Sequence, residues 1–152
     1  MVWFSQEEAA ATAMISKLIF SWADGIDRHE GLNLAPFIAA DCRYVVRGMP
    51  RSGPEGVVEF YRGRLEEFKQ KSAAPPTQRH AISNLLIEFI APGKASARFL
   101  LTYYASAQKA PVTDFQGPMA VADCHMYCSL EDDKHWRISS FESVQSFVRA
   151  AT

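Results

Sequence analysis

Thr77-Gln78-Arg79-His80-Ala81-Ile82-Ser83-Asn84 is the stretch at which the periodicity of this chain changes. Before it, apolar residues recur at helical spacing; after it, they run in long segments broken by turn signals. Pro92-Gly93-Lys94, the segment from Ala110 to Pro118, and Glu131-Asp132-Asp133-Lys134 divide the second half of the chain into four strands, roughly 78–91, 95–109, 119–131 and 135–149. Strands of that length predict a strongly curved antiparallel meander.

The first half reads differently. Ser5-Gln6-Glu7-Glu8 is a capping box, in which Ser5 accepts from the Glu8 amide and Glu8 reaches back to the Ser5 amide. The helix it opens carries Ile15, Leu18, Ile19, Trp22 and Ile26 on one face and should end before Gly31. Asn33 to Ala39 reads as a short second helix carrying Phe37 and Ile38, Cys42 to Arg47 as a strand, and Gly48 to Gly53 as a turn or loop. Ser52-Gly53-Pro54-Glu55 opens another helix with Val57, Val58, Tyr61, Leu65 and Phe68 as core positions, and Ala73-Ala74-Pro75-Pro76 stops it. The order predicts an α+β domain, 1–152 as one unit, with about three N-terminal helices on one face of a bent sheet.

Composition narrows the function classes. The chain has 152 residues, 48% hydrophobic and 22% charged, with 16 Lys and Arg against 17 Asp and Glu. A chain of this size buries roughly 70% of its unfolded surface and needs no disulfide or structural metal to hold a core. The net charge of −1 gives no field that would gather phosphates, so a nucleic-acid partner has no electrostatic support. No basic segment followed by an apolar run opens the sequence, and no stretch approaches the ~18 apolar residues of a membrane span, so a cytoplasmic protein is expected.

Cys124 and Cys128 lie four apart in a strand, hence ~13 Å apart, beyond the ~7 Å Cα limit of a disulfide. They and Cys42 are expected as reduced thiols. A zinc site from Cys124, His125 and Cys128 would need ligands from both strand faces, and neither metal nor cofactor is expected. Ten Phe, five Tyr and three Trp exceed what a core of this size needs.

Two local patterns then carry a resemblance. Trp22-Ala23-Asp24-Gly25-Ile26-Asp27-Arg28-His29-Glu30 with Leu34-Ala35-Pro36-Phe37-Ile38-Ala39-Ala40-Asp41-Cys42-Arg43-Tyr44 is the first, and Thr77 to Asn84 is the second; His135-Trp136-Arg137-Ile138-Ser139-Ser140-Phe141 matches as a closing strand. Together, over nearly the whole chain, they resemble the nuclear transport factor 2-like superfamily, in particular its SnoaL-like branch. The resemblance implies a cone-shaped α+β fold. That fold hosts dehydratases, a dehydrochlorinase, ketosteroid isomerase, polyketide cyclases, oxygenase small subunits and non-catalytic transport factors, so function must be argued from the site.

By resemblance to the dehydratase and the dehydrochlorinase, the catalytic pair falls on Asp27 and His80. The chemistry is suited to general-base work: a neutral imidazole accepts a proton near pH 7, and a carboxylate on its other nitrogen holds the tautomer and stabilises the imidazolium. On the helical wheel Asp24 lies opposite the apolar stripe, whereas Asp27 lies at its flank, which makes Asp27 the better candidate for a half-buried carboxylate at a cavity edge. The bland alternative pairs Asp27 with Arg28 or Arg79 and leaves His80 satisfying a backbone group.

Asp123, His125 and Tyr127 share one face of their strand and Cys124, Met126 and Cys128 the other. In the dehydratase relatives the corresponding polar face looks into the pocket, which makes Asp123 and His125 substrate-contact candidates; the alternative is that both line a solvated sheet face. Trp22, Tyr44, Phe60, Tyr61, Phe99, Tyr103, Phe115 and Phe141 are candidates for aromatic pocket walls, with Tyr44 and Tyr61 first among them. His29, at a helix C-terminus, and His135, at a turn, are not site candidates.

Two functions compete. One is a cofactor-independent lyase or isomerase in which His80, oriented by Asp27, takes a carbon-bound proton from a small hydrophobic cyclic substrate, as in a dehydratase, dehydrochlorinase or ketosteroid isomerase. The other is a non-catalytic small-molecule-binding or partner module, including an oxygenase small-subunit role, whose family shares the Arg-His-x-x-Ser-Asn pattern of Arg79 to Asn84. The resemblance also implies a homodimer or higher homo-oligomer through the exposed sheet face.

Overall fold

A computed structural model describes residues 4–72 and 75–150. Met1-Val2-Trp3 and the Ala73-Ala74 part of the helix stop lie outside the described residues. The elements are helix α1 (Gln6–His29), a 3-10 turn at Ala35–Phe37, strands β1 (Ile38–Val46) and β2 (Met49–Ser52), helix α2 (Gly53–Lys71), then β3 (Thr77–Ala91), β4 (Lys94–Ser106), β5 (Ala120–Leu130) and β6 (Trp136–Val148).

Both hydrogen bonds of the capping box form, Ser5 Oγ accepting from the Glu8 amide at 3.1 Å and Glu8 Oε2 from the Ser5 amide at 3.0 Å. At the other end of α1, Glu30 and Gly31 both take left-handed conformations, and the Gly31 amide donates to the Gly25 carbonyl at 3.0 Å. The Glu30 amide reaches the same carbonyl, and the two together close the helix end over the left-handed cap. Gly31 is required twice over: its φ is +77°, and a Cβ there would lie 2.4 Å from Cγ of Tyr61.

The expected third helix is only the 3-10 turn, so the chain has two α-helices among the described residues. Pro36 and the change to extended backbone at Ile38 leave no room for a longer one. The stretch read as a loop after Gly48 is instead the short edge strand β2, joined to β1 by the two-residue turn Arg47-Gly48, both at positive φ. Pro50 made it look unlike a strand, but an edge strand tolerates a missing N–H.

The six strands form one sheet in the order β2-β1-β6-β5-β4-β3. All neighbours are antiparallel except β1 and β6, which run parallel, so the sheet is mixed and not purely antiparallel. The intervening helix and meander return the chain beside β1 in the same direction. Asn84, at φ +54°, sits in a bulge of β3 between Ser83 and Leu86, where one extra residue bends the strand.

Core residues from α1 (Ile15, Ile19, Trp22, Ile26) and α2 (Val57, Tyr61) meet alternate residues of the sheet: Ala95, Ala97, Phe99 and Leu101 of β4, and Ala122, Cys124, Met126 and Cys128 of β5. Val58, Leu65 and Phe68 are only half-buried. Burial pushes the thiols of Cys42, Cys124 and Cys128 up to about 12, so they remain protonated. No helix among the described residues is long and apolar enough to cross a membrane.

Two glycines of opposite character give opposite expectations. Gly31→Ala should destabilise the fold by more than about 1 kcal/mol in denaturant unfolding, because φ and the Tyr61 ring both oppose a side chain. Gly63→Ala, at a helical position with nothing within 4 Å of the new Cβ, should stabilise it by about 0.5–1 kcal/mol.

Candidate active site

Asp27 lies in the last turn of α1, and His80 in the first residues of β3, where it sits opposite Tyr103 of β4. The helix end meets the strand start through two hydrogen bonds to one carboxylate. Asp27 Oδ2 accepts the backbone N–H of His80 at 2.9 Å, and Oδ1 lies 2.6 Å from Nδ1 of the imidazole. A carboxylate only accepts, so the neutral imidazole carries its proton on Nδ1 and presents Nε2 as a lone pair. The side chains retain 11% (His80) and 9% (Asp27) of their exposure, enough desolvation to strengthen the pair without sealing it.

Burial is the foremost influence on His80 and pulls its pKa below the ordinary imidazole value; Asp27 opposes that shift and the Arg64 guanidinium adds to it. His80 is therefore neutral, and basic, at pH 7. Arg28 is occupied elsewhere, in an exposed ion pair with Asp24 at 2.7 Å.

The Tyr103 ring lies 4.6 Å from the His80 ring, and its hydroxyl accepts from Arg64 Nη2 at 2.6 Å. The same Nη2 donates to Gln78 Oε1 at 2.8 Å. Gln78, buried, turns its amide N–H₂ the other way to the Ile26 carbonyl at 2.9 Å, covering one of the open carbonyls at the end of α1. Arg64 also lies over the rings of Phe68 and Tyr103, at 5.0 and 5.4 Å. Neither Arg64 nor Gln78 was singled out in the sequence. The readable signal was a cation on the Val57, Tyr61, Phe68 stripe of α2, where solvation alone would not place one.

A second chain of polar atoms runs through the aromatic core. Trp22 Nε1–H donates to the Tyr44 hydroxyl at 3.0 Å, and the Tyr44 and Tyr61 hydroxyls are 2.6 Å apart. Indole N–H can only donate, so the economical arrangement has Tyr44 donating to Tyr61, which leaves the Tyr61 O–H free to donate. Burial is the main cause that raises the phenols of Tyr44, Tyr61 and Tyr103, Tyr61 to about 12, and keeps them protonated.

The aromatic walls are more tightly filled than the sequence implied. Trp22, Tyr44, Phe99 and Phe141 are buried against one another, Trp22 and Phe141 at 5.1 Å and Tyr44 and Phe141 at 4.7 Å between centroids. Phe60 packs on Tyr61 and under Arg51. Phe115 is instead 63% exposed, stacked on Tyr104 away from the dyad.

Asp123 and His125 lie on the opposite face of the sheet from Asp27 and His80. The alternation in β5 is as read, but the thiol and thioether side chains take the inner face because burial favours them over a carboxylate and an imidazole. Asp123 accepts from Ser146 at 2.8 Å, and His125 Nε2 lies 2.7 Å from Ser96 Oγ. Both line an outer groove of about 550 Å³ with Leu86, Arg98, Glu142 and Val144. His29 and His135 are exposed. Among the described residues no three His, Cys, Asp or Glu side chains gather as metal ligands.

A family model described as a SnoaL-like domain matches residues 7–142. Among curated proteins nothing matches. Solved structures do. A hexachlorocyclohexane dehydrochlorinase, LinA-type3, of Novosphingobium barchaimii is 21% identical over 93% of this chain and 90% of its own, with a TM-score of 0.72. A candidate scytalone dehydratase of Novosphingobium aromaticivorans is 16% identical over 94% and 92%, at 0.70. A Catenulispora acidiphila protein in complex with S-DNPA is 17% identical over 90% and 94%, at 0.71. At these identities the likeness shows the fold.

The opposing influences on His80 give a signed expectation. In an NMR titration of the imidazole, its pKa should fall below 6.5; Arg64→Gln should move it up, and Asp27→Asn should move it further down.

Proposed function

The chain belongs to the SnoaL-like domain family, and from that premise we propose that it is a lyase or isomerase working by general-base proton abstraction at His80. The reading is carried by the 2.6 Å contact of His80 Nδ1 with Asp27, which leaves Nε2 as the unspent basic nitrogen. Nε2 takes a proton from carbon beside a leaving group or a carbonyl, and the C–H electron pair becomes the new double bond. In an elimination the leaving group departs as halide, or as water once the Nε2 proton is returned to it. In an isomerisation that proton goes back to a different carbon. Asp27 holds the ring and stabilises the imidazolium, while the Tyr61 O–H, unspent on Tyr44, is the candidate donor to a substrate oxygen.

A small cyclic, partly hydrophobic substrate suits a base set among aromatic rings. That dehydrochlorinase and candidate scytalone dehydratase structures share the fold supports the elimination branch. One observation favours the competing reading, a ligand-binding or partner module: Trp22, Tyr44, Phe99 and Phe141 fill the interior beside the dyad with their own rings. Pairing of two copies through the outer sheet face is part of this proposal, because Leu86 and Val144 are 57% and 56% exposed there beside Arg98 and Glu142.

Deuterium incorporation or product formation, followed by NMR in D₂O over a panel of cyclic ketones, halocyclohexanes and polyketide-like phenols, tests the chemistry. On a substrate so found, His80→Ala should lose about 10²–10⁴ of the rate. An active His80→Ala protein would remove His80 as the base. The wild-type rate should fall on the acid side with a midpoint below 6.5, since only neutral His80 is competent. Light scattering should give at least a dimer, and Leu86→Lys with Val144→Lys should give a monomer; a wild-type monomer would overturn the pairing.

A further inference from the structure

Arg64 is a half-buried cation without an anion. Its Nη2 is spent on two neutral acceptors, the Tyr103 hydroxyl and the Gln78 carbonyl, and its remaining N–H groups, on Nε and Nη1, have no protein partner among the described residues. No carboxylate pairs with it among the described residues. The carboxylate of the dyad, Asp27, has both oxygens bonded to His80. Withdrawing a guanidinium from water without a counter-charge is unfavourable, and the neutral partners offset only part of that.

Arg64 is also held in place. Its Cζ lies 5.0 Å from the centre of the Phe68 ring, Gln78 anchors it to the end of α1, and the Tyr103 hydroxyl holds it on the ring that packs against His80. A cation oriented in this way, three N–H groups unspent, is arranged as a receptor for an anionic group. Arg47, on the β1–β2 turn, adds a second positive charge felt at the Tyr103 hydroxyl.

We propose that the substrate of this site carries a carboxylate, bound by Arg64 beside Tyr103, the residue that packs against the His80 ring. The proposal rests on the reading of the dyad as the active site. It adds that the ligand is an anion: a cyclic acid whose ring lies against the aromatic side chains while its carboxylate reaches Arg64. The near-neutral charge of the whole chain conceals this, because the relevant charge is local.

Binding of cyclohexanecarboxylate and cyclohexanecarboxamide, matched in shape and differing in charge, tests it by isothermal titration calorimetry at pH 7.5. The carboxylate should bind the wild type about tenfold more tightly than the amide. Arg64→Gln should abolish that preference and leave amide binding in place; Arg64→Lys, which keeps the charge, should retain most of it and serves if the Gln variant does not fold. Arg28→Gln, an exposed cation, should change nothing. Equal binding of the two probes, binding of neither, or a preference that survives Arg64→Gln would overturn the proposal. His80→Ala should keep the preference, so the base and the carboxylate receptor fail separately: turnover reports on the first and the charge preference on the second.

Discussion

The two hydrogen bonds from Asp27 to His80 join the helical layer to the sheet at one point, and much of the structure is arranged around it. One oxygen holds the backbone of β3 and the other the imidazole, so the position of the strand and the orientation of the base are set by the same carboxylate. For that to happen α1 must stop within a turn of Asp27. The left-handed pair Glu30 and Gly31 stops it, and the bare Cα of Gly31 lets the Tyr61 ring approach. Gln78, two residues before His80, takes the Ile26 carbonyl just before Asp27. The helix end and the strand start are therefore stitched on both sides of the catalytic candidate.

That arrangement also resolves a conflict between packing and chemistry. A general base must be desolvated to be strong in its site, yet burial of an imidazole lowers its basicity. Here Asp27 restores part of what burial removes, while Arg64 acts in the opposite direction. The result is a histidine kept neutral and fixed in one tautomer by its surroundings. Tyr103, lying between His80 and Arg64, links the two influences by touching both.

Much of this was readable in the sequence, for physical reasons. The capping box, the apolar stripe of α1 and the long meander are local signals whose hydrogen bonds and periods are written in neighbouring residues. Asp27 and His80, 53 residues apart, came from the resemblance and from the wheel position of Asp27. The parts that were missed are non-local. Strand alternation divides β5 into two faces but does not say which one the helices cover, so the sequence leaves Asp123 and His125 open between pocket and solvated face; they face out. The parallel pairing of β1 with β6 depends on a strand contributed from the far end of the chain. Gln78 and Arg64 gain their meaning only when α1, α2 and β3 meet.

The two faces of the sheet consequently solve different problems with similar residues. On the outside His125 is bonded to Ser96 and stacked on Tyr127, an imidazole beside a hydroxyl and a ring, yet among the described residues no carboxylate holds its tautomer. On the inside His80 has a carboxylate on one nitrogen, a phenol against its ring and a guanidinium beyond it. The residue types are nearly the same; what differs is that the inner set is desolvated and its members are each fixed by a neighbour from another element. The inner imidazole is held in one place and one tautomer through that convergence, and it is the end of α1, by delivering Asp27 and receiving Gln78, that supplies it.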